Sequence, residues 1–433
     1  MSKSIFFFTA EDPREIPKGS RDPLRFLPEW TKVARKMIPY LTTVTPSYRG
    51  FLTRFLFHGL LEDIVPALAN ASADEQWVAF CKFEQLCAFV RTNIEPFTPN
   101  LPGISGVSGR VKGCKVVLGS DTAYWLVRSQ KNTGYWGYYH QACLGSGLIR
   151  KNKTSEPGYQ LTDEALVMYR ESDARSRLMN FKEVFLRIFK EKELQVDINE
   201  LAPLAELFAQ RPISIGGAWS SFWVEHLLIP RNETSNSFAQ SEFAKEVQNV
   251  LHETPSLSVG QIWERLSLST TSEIVSSFAK EVMASEAVIG LCEWVFDVCR
   301  MKNVVTMNDA AQWAYNNGYD DNCLERLRKL QQPSSTELAL LREVALNKSN
   351  SFKELAHLLL ERHKKVMTGR KGVPAWVELH HDVLHIRDYS DEPSKPDDLK
   401  NSSVGIRWRY DYFLSSWLGV AKEIGYLQDR TNG

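Results

Sequence analysis

Residues 134–162 read GYWGYYHQACLGSGLIRKNKTSEPGYQLT. Gly134 to Leu144 carries three tyrosines and Trp136 at helical spacing, and Gly145-Ser146-Gly147 supplies residues that end a helix. Leu148-Ile149-Arg150 and Tyr159-Gln160-Leu161-Thr162 then read as two short strands joined by KNKTSEPG, a polar turn containing proline and glycine. Upstream, Ser120 to Val127 reads as a short helix. Downstream, Thr162-Asp163-Glu164 caps another that holds Leu166, Val167 and Tyr169. Helix, helix, two-stranded wing, helix is the order of a winged helix-turn-helix, so the stretch predicts that element within the chain.

The same region is basic. Between Leu101 and Ser155 there are eight cations (Arg110, Lys112, Lys115, Arg128, Lys131, Arg150, Lys151, Lys153) against one acid, Asp121, with six tyrosines and tryptophans interleaved. Residues 1–100 hold 12 basic and 11 acidic side chains, and residues 161–433 hold 32 and 39, so a formal net charge of zero conceals a local positive field. Basic residues interleaved with aromatic ones suit phosphate backbones and unstacked bases. A winged helix would place its recognition helix in the major groove, with Tyr135 and Tyr139 among its contacts. Arg150, Lys151 and Lys153 would lie on the wing against phosphates. The alternative is a winged helix used only for protein docking.

The rest of the chain reads as helix around this element. The first 24 residues are polar, contain Pro13, Pro17 and Pro23, and read as an irregular arm. Residues 25–100 form a helical bundle: Phe26 to Ile38 closes at Pro39, Thr45-Pro46 opens a helix to Leu61, and Asp74 to Arg91 is amphipathic. In the Thr45–Leu61 helix, Phe51, Phe55, Leu56 and Leu60 share a face while Arg49 and Arg54 point elsewhere. Residues 101–171 hold the basic segment, opened by glycines and prolines that match neither G-x-G-x-x-G nor a P-loop. Residues 172–366 form a helical domain, with helices at Leu178–Phe189, Leu201–Phe208, Ala239–Leu251, Val259–Leu268, Ile274–Val288, Ile289–Val298 and onward to Phe352–Lys365. In residues 367–433 the period shifts to two, so Ala375–Leu379 and Val383–Arg387 predict a β-hairpin, followed by a docking helix from Tyr410 to Tyr426. The fold class expected is therefore mainly α: a multi-helix bundle with an embedded winged helix-turn-helix and a C-terminal β-hairpin.

Seven cysteines without a C-x-x-C pair read as reduced thiols rather than a disulfide framework or a zinc site. No apolar run reaches the length of a membrane span or a signal-peptide core, which leads to the expectation of a cytoplasmic chain with no membrane partner. A second basic cluster, Arg362, Lys364, Lys365, Arg370 and Lys371, falls at a helix end, where the dipole favours cations, and is a secondary candidate for phosphate contact. His380, His381, Asp382, His385 and Asp388 are dense enough to suggest a metal, but strand alternation sends His380 away from His381 and His385, so no metal or other cofactor is expected. His140 and Cys143, three apart, could interact as base and nucleophile, but without an orienting acid no catalytic residue is assigned.

The run DPLRFLPEWTKVARKMIPYLTTVTPSYRGFLTRFL, residues 22–56, resembles the opening of a group of bacterial proteins in which a DPLG-like start leads to P-G-[LT]-[ST]-T-x-T-x-R-x-R-Y-x-x-F. The matching residues are Asp22-Pro23-Leu24, Pro39, Thr42-Thr43-Val44-Thr45, Tyr48-Arg49 and Phe51, while Pro46 and Ser47 stand where the group has its first arginine. In outline the resemblance continues through YWGYYHQACLGSGLI and RHKKVMTGRKGVPAW to the terminal helix. The group has no assigned activity and occurs in mobile-element and phage-defence gene neighbourhoods. Taken with the basic winged-helix stretch, those neighbourhoods lead to the expectation of a DNA-binding or adaptor subunit of a multi-protein antiphage defence or DNA-maintenance system. Its partners would be double-stranded DNA and an ATPase or nuclease subunit. Two other classes stay open: a nuclease or nucleic-acid-modifying enzyme with a site built from distant residues, and a structural scaffold.

Overall fold

The computed structural model describes residues 22–92, 94, 107, 114–153, 157–209, 217–229, 236–269, 271–347, 351–370, 373–391 and 408–427. It is mainly α-helical, with short antiparallel strand pairs. The described strands are β1 (Lys115–Gly119), β2 (Ile149–Lys151), β3 (Tyr159–Leu161), β4 (Glu193–Asp197), β5 (Val377–His380) and β6 (Val383–Ile386), paired β1 with β4, β2 with β3, and β5 with β6. Among the described residues no helix is long and apolar enough to cross a membrane. The chain groups into two compact units, each assembled from separated pieces. One joins the residues up to Lys36 with Lys245–Tyr412, and the other joins Met37–Ala244 with the residues from Phe413 on.

In the Met37–Ala244 unit the organising element is the helix Tyr48–Ile64. Ala73–Arg91, Tyr135–Tyr138, Asp163–Glu171, Lys182–Lys190 and Leu414–Glu423 all pack on it, so it is buried on almost every side. Ser47, not Thr45, is its N-cap: the Ser47 hydroxyl accepts from the Arg49 N–H (3.2 Å) and donates to Glu423 Oε2 (2.9 Å). Glu423 also accepts the Tyr48 N–H at 2.7 Å, which sets a carboxylate from the C-terminal helix on the positive end of this helix dipole. Ala73–Arg91 starts with a capping box, Ser72 with Glu75.

Gly50 faces the ring of Tyr139, which is wholly buried, and a Cβ there would lie 2.3 Å from Tyr139 Cζ. The ring has little room to yield, because it stands edge-on to Phe51 and its hydroxyl accepts from Ser47 N–H. Gly50→Ala is therefore expected to lower the stability of this unit by about 1–3 kcal/mol, the usual range for overpacking, as read in a urea melt.

Two local expectations change here. The helix expected over Gly134–Leu144 is two short ones, Tyr135–Tyr138 and His140–Gly145, and only Thr122–Tyr124 of Ser120–Val127 coils, as a 3₁₀ turn. Gly137 supplies the reason for the first: the backbone carbonyl of Asn132 sits 2.2 Å from where a Cβ would be, so the segment folds back against the preceding helix Gln130–Thr133. β1 and β4 pair across a long stretch of chain in register Lys115 to Asp197, and Gln85 clamps Gly119 through its amide (3.1 and 2.8 Å).

In the other unit, Glu273–Val298 runs unbroken through the two helices expected there, with Val259–Ser269, Met307–Asn316, Thr336–Leu346 and Ser351–Thr368 against it. Glu286, wholly buried midway along it, accepts from the backbone N–H groups of Arg409 and Tyr410. Tyr410 OH donates to Glu293 at 2.6 Å, and Arg409 pairs with Glu293 (3.0 Å) and Asp297 (3.1 Å), so this helix holds the 408–412 segment by carboxylates.

Candidate nucleic-acid interface

The β2–β3 pair is held firmly from below. Ile149 pairs with Leu161 and Lys151 with Tyr159, and the side chain of Asn152 donates to Ala71 O (3.2 Å) and accepts from Gly158 N–H (2.9 Å). Gln76 completes the anchorage: its carbonyl accepts from Tyr159 N–H (2.8 Å) and its amide donates to Tyr159 O (2.9 Å). The next helix, Asp163–Glu171, is capped by Thr162. Along β2, Ile149 is buried while Arg150 and Lys151 are exposed.

The sequence candidates separate on this frame. Lys151 and Lys153 are exposed and have no ion-pair partner among the described residues. Arg150 is held bidentately by Asp163 (2.7 and 3.0 Å), and Lys131 pairs with Asp74 at 2.7 Å, so both carry a counter-ion. Arg128 is exposed beside the Gln130–Thr133 helix, and Lys115 is exposed on the β1–β4 pair. Arg110 and Lys112 lie outside the described residues. Tyr135 and Tyr139 are corrected: both are buried, edge to face at 5.2 Å, and offer no ring to a base. Tight packing against Tyr48–Ile64 absorbs them, since a tyrosine ring is mostly apolar surface.

The secondary cluster belongs to the other unit. Arg362 donates to the carbonyls of Leu24 and Arg25, pairs with Glu337 and lies over the Phe26 ring, and Arg370 donates to Asp22 O at 2.8 Å. His363 joins them through Nδ1 to Pro23 O (3.0 Å), while its Nε2 accepts from Trp376 N–H (2.9 Å). Burial, with the nearby charges of Arg300 and Arg370, pushes the His363 pKa down to about 4 against the bond to Pro23, so the ring stays neutral. These groups anchor residues 22–26, leaving Lys364 and Lys365 exposed, and Lys371 lies outside the described residues. On the nearby strand pair, His380 meets Glu378 (3.2 Å), Asp382 meets Asn308 (2.7 Å) and Asp388 meets Arg300 (2.8 Å). Among the described residues no three His, Cys, Asp or Glu side chains gather to hold a metal.

Beneath β2–β3 lies a polar cluster that helical-face reasoning missed. Arg54, expected to point away from the packed face, is wholly buried, its guanidinium 4.0 Å over the Trp136 ring and its Nη2 3.5 Å from His140 Nδ1. Nε and Nη1 of Arg54, and both ring nitrogens of buried His58 one turn on, have no partner at hydrogen-bond distance among the described residues. Burial draws the Arg54 pKa down to about 10 and the His140 pKa to about 4, and it holds His58 well below its ordinary value; Arg54 lowers both histidines further. Burial raises Cys143 to about 12, against the pull of Arg54, so the thiol stays protonated. Glu84 is raised to about 7 by burial, opposed by Tyr135 N–H (2.6 Å) and Gln130 Nε2 (2.7 Å). The sequence carries a signal for this cluster in FLTRFLFHGLL, where Arg54 and His58 sit four apart inside an apolar run.

None of the known protein families, curated proteins or solved structures compared with the chain matches it.

Proposed function

We propose that the chain is a DNA-binding or adaptor subunit that contacts the phosphate backbone of double-stranded DNA through the β2–β3 pair, acting as the wing of a winged helix. The observation that carries this reading is the pairing of two exposed lysines, Lys151 and Lys153, with a strand pair whose backbone is fixed by Asn152 and Gln76. A firm mount with cations that form no close ion pair among the described residues is what a backbone contact needs, because ordering cost is already met and no internal ion pair has to break, although the Lys153 charge is felt at Asp163. Burial of Tyr135 and Tyr139 favours affinity for backbone over readout of bases. The N-terminal resemblance supports a place in antiphage defence or DNA maintenance, alongside an ATPase or nuclease partner, in the cytoplasm.

The reading is tested by fluorescence anisotropy with labelled duplex DNA at about 50 and 200 mM salt, comparing the wild-type chain with Lys151→Glu/Lys153→Glu. Loss of two phosphate contacts is expected to flatten the plot of log affinity against log salt by about 2, at roughly 0.9 per contact. Equal slopes for the two proteins, or no binding by the wild type at low salt, overturn the proposal. The enzyme reading has one observation in its favour, the buried Arg54–His140–Cys143 cluster directly under the same strands.

A further inference from the structure

Arg54 brings a positive charge into the interior of its unit, and among the described residues no carboxylate forms a close ion pair with it, although buried Glu84 acts on it. The aromatic faces of Trp136 and Phe80 lie against the guanidinium at 4.0 and 5.4 Å, which offsets part of the lost hydration but uses none of its N–H donors. Among the described residues, Nε and Nη1 of Arg54 and both ring nitrogens of His58 have no partner at hydrogen-bond distance, with the Cys143 thiol and the Tyr159 backbone as the neighbouring groups that act on them, so unpartnered polar atoms of two buried side chains lie in one region. Such atoms are costly in a core, and a cluster of them centred on a cation is arranged for an anion.

The cluster also has a way out. His140, in contact with Arg54, is half-buried, and its ring stands edge-on to Tyr159 at 4.5 Å. Tyr159 is in turn the register partner of exposed Lys151, whose charge reaches His140. A line of cationic or protonatable groups therefore runs from solvent at Lys151 through His140 to Arg54. We infer that Arg54, His58 and His140 form a site for a phosphate group, with Lys151 at its entrance. The inference deepens the DNA-backbone reading and rests on it for the preferred occupant, a phosphate carried by the nucleic acid that β2–β3 engages. Arg54 would donate from Nε and Nη1 to two oxygens, the planar fork suited to a tetrahedral oxyanion. His140, held neutral by burial and, further, by the charges of Arg54 and Lys151, would take up a proton as the anion reverses the local charge.

The test uses the full chain and three probes: inorganic phosphate, and one oligonucleotide duplex with either a 5′-phosphate or a 5′-hydroxyl. Inorganic phosphate is expected to bind the wild type by calorimetry and to raise the His140 pKa in an NMR titration. Arg54→Met and His140→Gln are expected to weaken it by about tenfold or more, since a charge-assisted bond to phosphate is lost. Arg54→Met replaces a buried charge with an apolar stem of similar length. Should it fail to fold, half-buried His140→Gln carries the test alone. Unchanged phosphate affinity in the folded variants, or no phosphate binding and no His140 shift in the wild type, overturns the inference. A preference for the 5′-phosphorylated duplex assigns the site to strand ends, and equal binding of the two duplexes, both weakened by Arg54→Met, assigns it to the internal backbone. The two proposals fail separately: phosphate binding through Arg54 without DNA binding sinks only the backbone reading. DNA binding that Lys151→Glu/Lys153→Glu abolishes and Arg54→Met leaves unchanged, with no phosphate bound, sinks only this one.

Discussion

Glu286→Gln is expected to make the unit built on Glu273–Val298 more stable at alkaline pH and to remove most of a pH dependence that the wild type carries. Burial raises the Glu286 carboxyl from 4.5 to about 8, and the Arg409 and Tyr410 N–H donors only partly oppose this. A carboxyl with a raised pKa holds its proton in the folded state while the unfolded chain has lost it, so the folded state binds more protons between the two values. Its contribution is complete below about pH 4.5, shrinks as pH rises, and is gone above about pH 8. At about 1.4 kcal/mol per tenfold, the span corresponds to roughly 4–5 kcal/mol. Glutamine keeps an oxygen for the two N–H donors, carries no proton to lose, and stays neutral throughout. Denaturant unfolding of both proteins at pH 5, 7 and 9 checks this: the curves should diverge steadily with pH, and parallel curves would sink the assignment.

Trp223→Ala is the second large effect, and it acts on the other unit. Trp223 is wholly buried, with its ring edge-on to Tyr48 (4.8 Å), Phe55 (5.2 Å), Trp219 (5.8 Å) and Phe222 (5.2 Å). Truncation removes the ring and leaves four rigid aromatic walls that cannot collapse into the gap, so a loss of about 3–5 kcal/mol is expected. Trp223→Phe should lose distinctly less, because the indole Nε1 has no hydrogen-bond partner among the described residues to forfeit. The two melts, followed by far-UV circular dichroism, separate cavity cost from polar cost. Equal losses for Ala and Phe would mean that the indole, not the packed ring, is what matters.

What the sequence made legible depended on whether burial was one-sided. Helices with an apolar stripe and a cap in the sequence, such as Thr306-capped Met307–Asn316 and Ser335-capped Thr336–Leu346, fall close to where their periodicity predicts them. Tyr48–Ile64 is different, because neighbours cover it all round and no polar face exists to mark the outside. Reading Arg54 as the exposed side of that helix was thus the natural error, and it hid the polar cluster. β1 and β4 were invisible for another reason: each is a five-residue strand, and its partner lies across several helices in the chain. At the candidate interface the cations were legible by composition, but which of them keep a counter-ion was not. Asp74 and Asp163 neutralise Lys131 and Arg150 through contacts that spacing does not encode.

The Glu423 carboxylate that seats on the start of Tyr48–Ile64 comes from 375 residues further along the chain. Translation at roughly 5–20 residues per second puts about 20–75 s between the emergence of this helix and that of its cap. The other unit is split in the same way, between the residues up to Lys36 and Lys245–Tyr412. Neither core can therefore close on the ribosome until the chain has been made as far as Tyr412 and Glu423, and the nascent chain carries the unpartnered aromatic surface of both until then. Shelter of that surface during elongation then bears on yield in the cell alongside the stability of the finished protein.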